Sequence, residues 1–283
     1  MAELQGERLP KSLFGEPFSI ASFKGWIHPQ YNHPHLVQSL RDCHSLLQQP
    51  ESKILIDKRN RVGVVSLPLQ DGQRIEVVIK EFEPHGIDKL KSYFLPSKAF
   101  KAWRGAASLV ARQIETPRPI AYLEPKKKGF FRQDFFLTEE VSGVEEIRSL
   151  FRRLPSAELR NLLVSLARYL LNCHKKGILH RDLSDGNILV KKDERGDYIF
   201  YLVDTNRIRE RKKIGLLRRV KNLVRLGIPL SDQDFFLEQY LVNSLHKKWP
   251  KFWYRWNKKA FASYIGLKKK LRMRQLSRKL RIQ

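Results

Sequence analysis

The sequence predicts an α+β chain in two lobes, a small antiparallel sheet followed by a mainly helical part. Three observations predict it. Short β-branched runs, Ile54-Leu55-Ile56, Val62-Gly63-Val64-Val65 and Ile75 to Lys80, crowd the first half. A long stretch in the second half, Leu159 to Cys173, carries apolar residues at helical spacing. A polar turn, His180 to Asn187, then stands between the apolar runs Ile178-Leu179 and Ile188-Leu189-Val190, which read as short buried strands pinning a loop at both ends. The expected divisions are an N-terminal extension over 1–50 that packs on the first lobe, the first lobe over 51–141, and a helical second lobe over 142–283 with a basic end.

Residues 1–50 are polar and rich in His, Pro and Gln. His28, His33, His35 and His44 are not read as a metal site, since no cysteine or paired carboxylate joins them and Pro29 and Pro34 break any helix that would align them. Among the strands that follow, Asp71-Gly72 marks a hairpin turn. In the strand after it Ile75, Val77 and Ile79 share one face, which puts Lys80 on the other with Glu76 and Val78. Ser97 is positioned to cap a helix with Ala99, Trp103, Ala106 and Val110 as its apolar stripe, ending near Arg112. Pro117 and Pro119 enforce extended backbone into another strand, and Lys126-Lys127-Lys128-Gly129 is a basic turn. Phe135 to Val141 leaves the lobe as a buried strand and a polar connection, with Gly143 as a pivot.

In the second lobe Ser156 is expected to cap the helix of Leu159, Leu162, Leu163, Leu166, Tyr169, Leu170 and Cys173, with Lys175, Lys176 and Gly177 closing it. Tyr198 to Asp204 is a buried strand ending in a carboxylate. A basic amphipathic helix with Ile214, Leu217, Val220 and Val224 on one side comes next, stopped by Gly227-Ile228-Pro229. Further helices are expected over 232–245 and from Trp249 onward, with Phe252, Trp253 and Trp256 on one face read as core. The segment 266–283 is very basic, but Leu267 and Leu271 point away from Met273, Leu276 and Leu280, so it shows no single apolar stripe.

A formal charge of +26 and a pI near 10.2 attract nucleic acid, anionic lipid or other polyanions. Cys43 and Cys173 are the only cysteines, which indicates neither a disulfide framework nor a zinc site and makes the cytosol the expected compartment. The first residues lack the basic-then-apolar run of a signal peptide, and no eighteen consecutive apolar residues occur, so any membrane contact is expected to be peripheral.

The loop His180-Arg181-Asp182-Leu183-Ser184-Asp185-Gly186-Asn187 fits H-R-D-x-x-x-x-N and resembles the catalytic loop of protein-kinase-like enzymes. Phosphoryl transfer from ATP needs a positioned hydroxyl and metal ions that offset phosphate charge. The resemblance makes Asp182 the group that accepts the hydroxyl proton, Asn187 and Asp204 the magnesium ligands, and Lys80 the grip on the α- and β-phosphates. His180, Arg181 and Ser184 support the loop. Lys58 to Gly63 would cover the nucleotide with the single Gly63 and basic side chains, and backbone groups around Glu139 and Val141 would bind adenine.

Over roughly 54–227 the chain is also similar to the bacterial lipopolysaccharide core kinases, the Kdo and heptose kinases, themselves protein-kinase-like in fold. The telling pieces are the basic Ser97-Lys98-Ala99 to Trp103 helix running into Thr116-Pro117-Arg118-Pro119-Ile120-Ala121, the His180 to Asn187 loop, and Val203-Asp204-Thr205-Asn206-Arg207. The resemblance implies transfer of the γ-phosphate of ATP, with Mg2+, to an inner-core sugar hydroxyl of a lipid A-core glycolipid at the cytoplasmic face of the inner membrane. It implies an anionic membrane surface as electrostatic partner and no specific nucleic acid. The chain departs from these patterns at Ala102, where the family carries a glutamate to pair with the strand lysine, at Ser184, where protein kinases carry a lysine, and at Thr205-Asn206, which replaces Phe-Gly. No A-P-E closes an activation segment. The alternatives are a protein kinase and a catalytically dead kinase fold that binds lipid or nucleic acid.

Overall fold

The computed structural model describes residues 15–57, 60–69, 72–83, 95–126 and 133–280, with α8 beyond residue 271 described by its backbone. Asp71, Lys127 to Gly129, Lys58 and Arg59, and the side chains of Met273, Leu276 and Leu280 lie outside that description. The chain divides into two compact units, 1–145 with 189–212, and 146–188 with 213–283.

The first unit is built on a seven-stranded antiparallel sheet in the order β1-β2-β6-β7-β5-β4-β3. Its strands are β1 (Glu16–Ile20), β2 (Phe23–Ile27), β3 (Lys53–Asp57), β4 (Asn60–Pro68), β5 (Arg74–Phe82), β6 (Pro119–Pro125) and β7 (Asp134–Glu139). Residues before 50 therefore supply two strands of the sheet itself. At Gly25 of β2 a Cβ would sit 1.8 Å from the Tyr122 carbonyl oxygen, so only glycine lets β2 lie against β6.

The two faces of this sheet are covered differently. On one, Val77 and Ile79 of β5 pack with Val65, Ile27 and Leu137 beneath Tyr31, Leu36, Leu40, Cys43 and Leu47, residues in and around α1 (Pro34–Ser39) and α2 (Cys43–Leu46). Glu81 shares that face, and its buried carboxylate meets His44 Nδ1 at 2.8 Å. On the other, Phe82, Tyr122 and Phe136 receive Ala99, Ala102, Trp103 and Ala106 of α3 (Lys98–Ala111). Ser97 caps α3, its Oγ accepting from Phe100 N at 2.9 Å. Val110, expected in the buried stripe, is exposed, and Leu109 fills the core position. The two-residue strand β8 (Glu145–Glu146) follows the exposed Gly143, which has φ +68°.

The second unit is mainly helical. It comprises α4 (Ile147–Arg153), α5 (Ser156–Lys175), the strand β9 (Ile178–His180), α6 (Leu216–Asn222), α7 (Gln233–Tyr240) and α8 (Lys248–Leu280). The Leu159, Leu162, Leu163, Leu166, Leu170 and Cys173 stripe is buried as its spacing requires. Pro155 takes the N-cap position with no side-chain cap, so Ser156 begins the helix without capping it. Gly177 ends it at φ +77°. Leu217 is exposed, while Ile214, Val220 and Val224 are buried. The α7 helix stops at Tyr240, short of Leu245. Residues 189–212 belong to the first unit, where the strands β10 (Ile188–Lys192) and β11 (Tyr198–Leu202) pair with one another and β12 (Ile208–Glu210) follows Asp204.

A buried polar chain ties the helices to the end of β9. Tyr240 O–H donates to His174 Nδ1 at 2.6 Å, His174 Nε2 meets Asn222 Oδ1 at 3.0 Å, and Asn222 Nδ2 donates to the His180 carbonyl at 2.9 Å. Burial lowers the His174 pKa to about 4, with the Asn222 hydrogen bond opposing the shift and Arg219 adding to it. An imidazole held neutral in the fold protonates more readily in the unfolded chain. Its stabilising contribution is therefore complete above pH 6.5 and is lost as pH falls from 6.5 toward 4, about 3 kcal/mol in all. Urea midpoints measured down this range should drop steeply for the wild type and less so for His174→Gln; parallel slopes would remove His174 as the cause.

Candidate active site

In the first unit the expected site residues gather at the end of β5 and after β11. Lys80 Nζ donates to Asp204 Oδ1 in an ion pair, and Arg207 Nε lies 3.7 Å from Asp204 Oδ2. Lys80 also lies over the Phe82 ring, 5.2 Å from its centroid. The lysine that lacks a helix glutamate thus finds its carboxylate on Asp204, two residues past β11.

Asp204 is fastened on both sides. Before it, Leu202 N donates to the Glu115 carbonyl at 3.1 Å and Thr116 Oγ1 donates to the Leu202 carbonyl at 2.8 Å. After it, buried Thr205 donates from Oγ1 to the Ala102 carbonyl at 2.8 Å. A Cβ on Gly105 would lie 2.1 Å from the Thr205 carbonyl oxygen, so the helix and the turn touch backbone to backbone. The departures at Ala102 and Thr205 are therefore two halves of one joint: small residues on α3 receive the turn, and a hydroxyl replaces the aromatic. Asp204 itself has φ +57°, a left-handed conformation that aspartate tolerates better than most residues.

Gly63 lies inside β4, opposite Ile79, and is buried. A Cβ there would press on Leu47 Cδ2 at 2.8 Å and Ile54 Cδ1 at 3.0 Å. Both neighbours are side-chain ends, so packing bears on this glycine beside any part it has in covering the nucleotide. Glu139 ends β7, where its N–H donates to the Arg118 carbonyl at 2.9 Å and its carboxylate accepts from the Tyr31 hydroxyl. Burial and that carboxylate push the Tyr31 phenol well above its ordinary pKa. Glu140 N donates to the Glu76 carbonyl at 2.9 Å, which fixes the connection, and Val141 follows it half-buried.

In the second unit the loop after β9 folds on itself. His180 is buried and its Nδ1 accepts from Asp182 N at 3.2 Å. Ser184 N and Asn187 Nδ2 both donate to the Asp182 carbonyl, at 2.8 and 2.7 Å, and Asn187 N donates to the Ser184 carbonyl at 3.0 Å. Arg181 is exposed, and its carbonyl accepts from Arg225 Nη1 at 3.3 Å. The Asp182 carboxylate meets Arg225 Nη1 at 2.8 Å.

Sequence reasoning missed Arg225 and the residues that hold it. Lys258 of α8 donates to the Val224 and Leu226 carbonyls at 2.9 and 2.5 Å, on either side of Arg225, and the Arg225 guanidinium lies 5.3 Å from the Phe261 ring centroid. Burial lowers the Lys258 pKa and Asp185 opposes the shift. Asp185 in turn lies where a Cβ on Gly227 would stand 2.4 Å from its Oδ2, so that glycine admits the loop. No spacing rule in the sequence points to an arginine forty-three residues downstream of Asp182.

Magnesium takes hard oxygen donors, usually one or two carboxylates beside phosphate. In the first unit Asp204 offers a carboxylate, and in the second the Asn187 amide nitrogen is committed to the Asp182 carbonyl, which leaves its oxygen as the group that could ligate. Each is an oxygen donor of the kind that ion takes. Among the described residues no group of three or more His, Cys, Asp or Glu is assembled for a metal.

The model of the lipopolysaccharide kinase (Kdo/WaaP) family matches residues 88–241, just over half of the chain. The chain belongs to this family. The match runs across α3, the Asp182 loop and Asp204, the parts that carry the resemblance. Among solved structures, WaaP in complex with acyl carrier protein aligns with a TM-score of 0.51 at 18% identity, covering 74% of this chain and 88% of that one. That likeness confirms the α+β, kinase-like fold of the lipopolysaccharide kinases. A probable serine/threonine-protein kinase of Dictyostelium discoideum, fnkE, is 25% identical over 75 residues, 25% of this chain. The chain spans 6% of that protein's length.

Proposed function

We propose that the protein transfers the γ-phosphoryl group of ATP to a sugar hydroxyl, of Kdo or heptose, in the inner core of a lipid-anchored lipopolysaccharide precursor at the cytoplasmic face of the inner membrane. The observation that carries this reading is the pairing of Lys80 with Asp204 in a lipopolysaccharide-kinase-family chain that also keeps Asp182 and Asn187.

Asp182 takes the proton of the attacking hydroxyl, and Arg225, 2.8 Å from one of its oxygens, holds the carboxylate in place. Asn187 and Asp204 hold Mg2+, which offsets charge on the phosphates. Lys80, paired with Asp204, grips the α- and β-phosphates, and backbone groups of Glu139 and Val141 take adenine. Charge supports an acidic acceptor. Lys98, Lys101, Arg104 and Arg209 crowd the N-terminal part of α3 and β12, and burial together with Arg209 and Lys98 lowers the Lys101 pKa. The loss of the helix glutamate at Ala102 favours a dead fold only if Lys80 then has no acid to meet, and it meets Asp204.

Core oligosaccharide from cells with and without the chain, compared by mass spectrometry, should differ by one phosphate on Kdo or heptose. The purified protein should consume ATP only with magnesium and a core glycolipid present. Equal turnover on protein substrates alone would point instead to a protein kinase.

A further inference from the structure

Helix α8 carries two apolar stripes. The inward one holds buried Tyr254 with half-buried Trp253 and Phe261, beside Lys258 and its two carbonyls. The outward one consists of Trp249, Phe252, Trp256, Tyr264, Leu267 and Leu271, each between 50% and 62% exposed. At about 100° per residue these six fall within a sector of about 120°, over a run of roughly 33 Å. Trp249 and Phe252 stack with centroids 5.4 Å apart. Phe252 and Trp256, expected in the core beside Trp253, are instead surface residues.

The charges on the helix are one-sided. From Lys248 to Gln283 there are thirteen Lys and Arg and no Asp or Glu. Lys251 and Arg255 are paired with Glu238 and Asp234, while Lys248, Lys259 and Lys270 line one border of the outward stripe at helical spacing. An apolar band of tryptophan, tyrosine and leucine edged by lysines has the chemistry of a helix lying in the plane of an anionic bilayer surface. A nucleic acid would meet the lysines and leave the leucines in water. A second copy of the chain would bring one cationic helix against another.

We propose that the outward stripe of α8 beds in the interface of a bilayer with anionic headgroups. The proposal deepens the functional reading and rests on it in one respect, that the acceptor is held in such a bilayer.

The full chain, without ATP, should sediment with vesicles of equal parts phosphatidylcholine and phosphatidylglycerol, and weakly or not at all with phosphatidylcholine alone. Binding should blue-shift tryptophan emission and weaken as salt rises. Trp256→Ser combined with Leu267→Ser should cut it about tenfold or more, and Lys259→Gln with Lys270→Gln should weaken it on the mixed vesicles. The serine pair should leave the circular dichroism spectrum, and phosphotransfer to delipidated core oligosaccharide, as in the wild type. Unchanged vesicle binding in the serine pair would overturn the proposal. So would its loss of oligonucleotide binding or of dimerisation in place of vesicle binding. Stripe-dependent vesicle binding without phosphotransfer in any variant or the wild type would overturn the kinase reading and leave this one standing.

Discussion

Asp182→Asn should lower phosphotransfer to core glycolipid by roughly 10²–10⁴-fold while leaving the chain folded. Asparagine keeps the size of the side chain and loses the capacity to accept a proton. The fold should tolerate the change because the Asp182–Arg225 pair is partly exposed and such pairs contribute at most about 1 kcal/mol. Arg225 also keeps the Arg181 carbonyl and the Phe261 ring. Activity within tenfold of wild type, at unchanged thermal stability, would remove Asp182 as the base. Function retained in cells by the same variant would favour a binding role for the fold.

A methyl group at residue 105 should do comparable damage from a distance. In Gly105→Ala the new Cβ would stand 2.1 Å from the Thr205 carbonyl oxygen, and that neighbour is backbone, which cannot swing aside as a side-chain end can. Helix and turn must separate, straining the Thr205–Ala102 hydrogen bond and moving Asp204 relative to Lys80. Overpacking of this kind costs about 1–3 kcal/mol. A displacement near 1 Å at the reacting groups costs on the order of 10²-fold in rate. Ala106→Gly, on the same helix with its face against the sheet, is the comparison: it loosens packing without entering the joint, so it should lower stability with a far smaller loss of rate. Equal rate losses in the two variants would mean that Gly105 acts through general stability alone.

Much of this was legible in the residues. The alternation in Ile75 to Lys80 gives the strand and the face of its lysine, because period two leaves no choice once one side is apolar. The loop from His180 to Asn187 declares itself by spacing. What stayed hidden depends on groups far apart in the chain. Nothing near Ala102 tells that Thr205 will bond to it, and nothing near Asp182 names Arg225, because each pairing is made by tertiary packing. The two stripes of α8 failed for another reason. They lie about a third of a turn apart, so together they blur into a helix with no preferred side, and treating residues 266–283 as a separate segment severed Leu267 and Leu271 from Trp249 and Trp256.

The joint between α3 and the Thr205 turn bears on control. Many kinases are governed by a glutamate-bearing helix that swings toward or away from its lysine, giving an off state. Here that side chain is missing and the helix is bolted down by main-chain atoms, so little travel remains for a regulator to exploit. If the chain is the sugar kinase proposed above, its throughput would then follow the supply of acceptor rather than a switch in this helix.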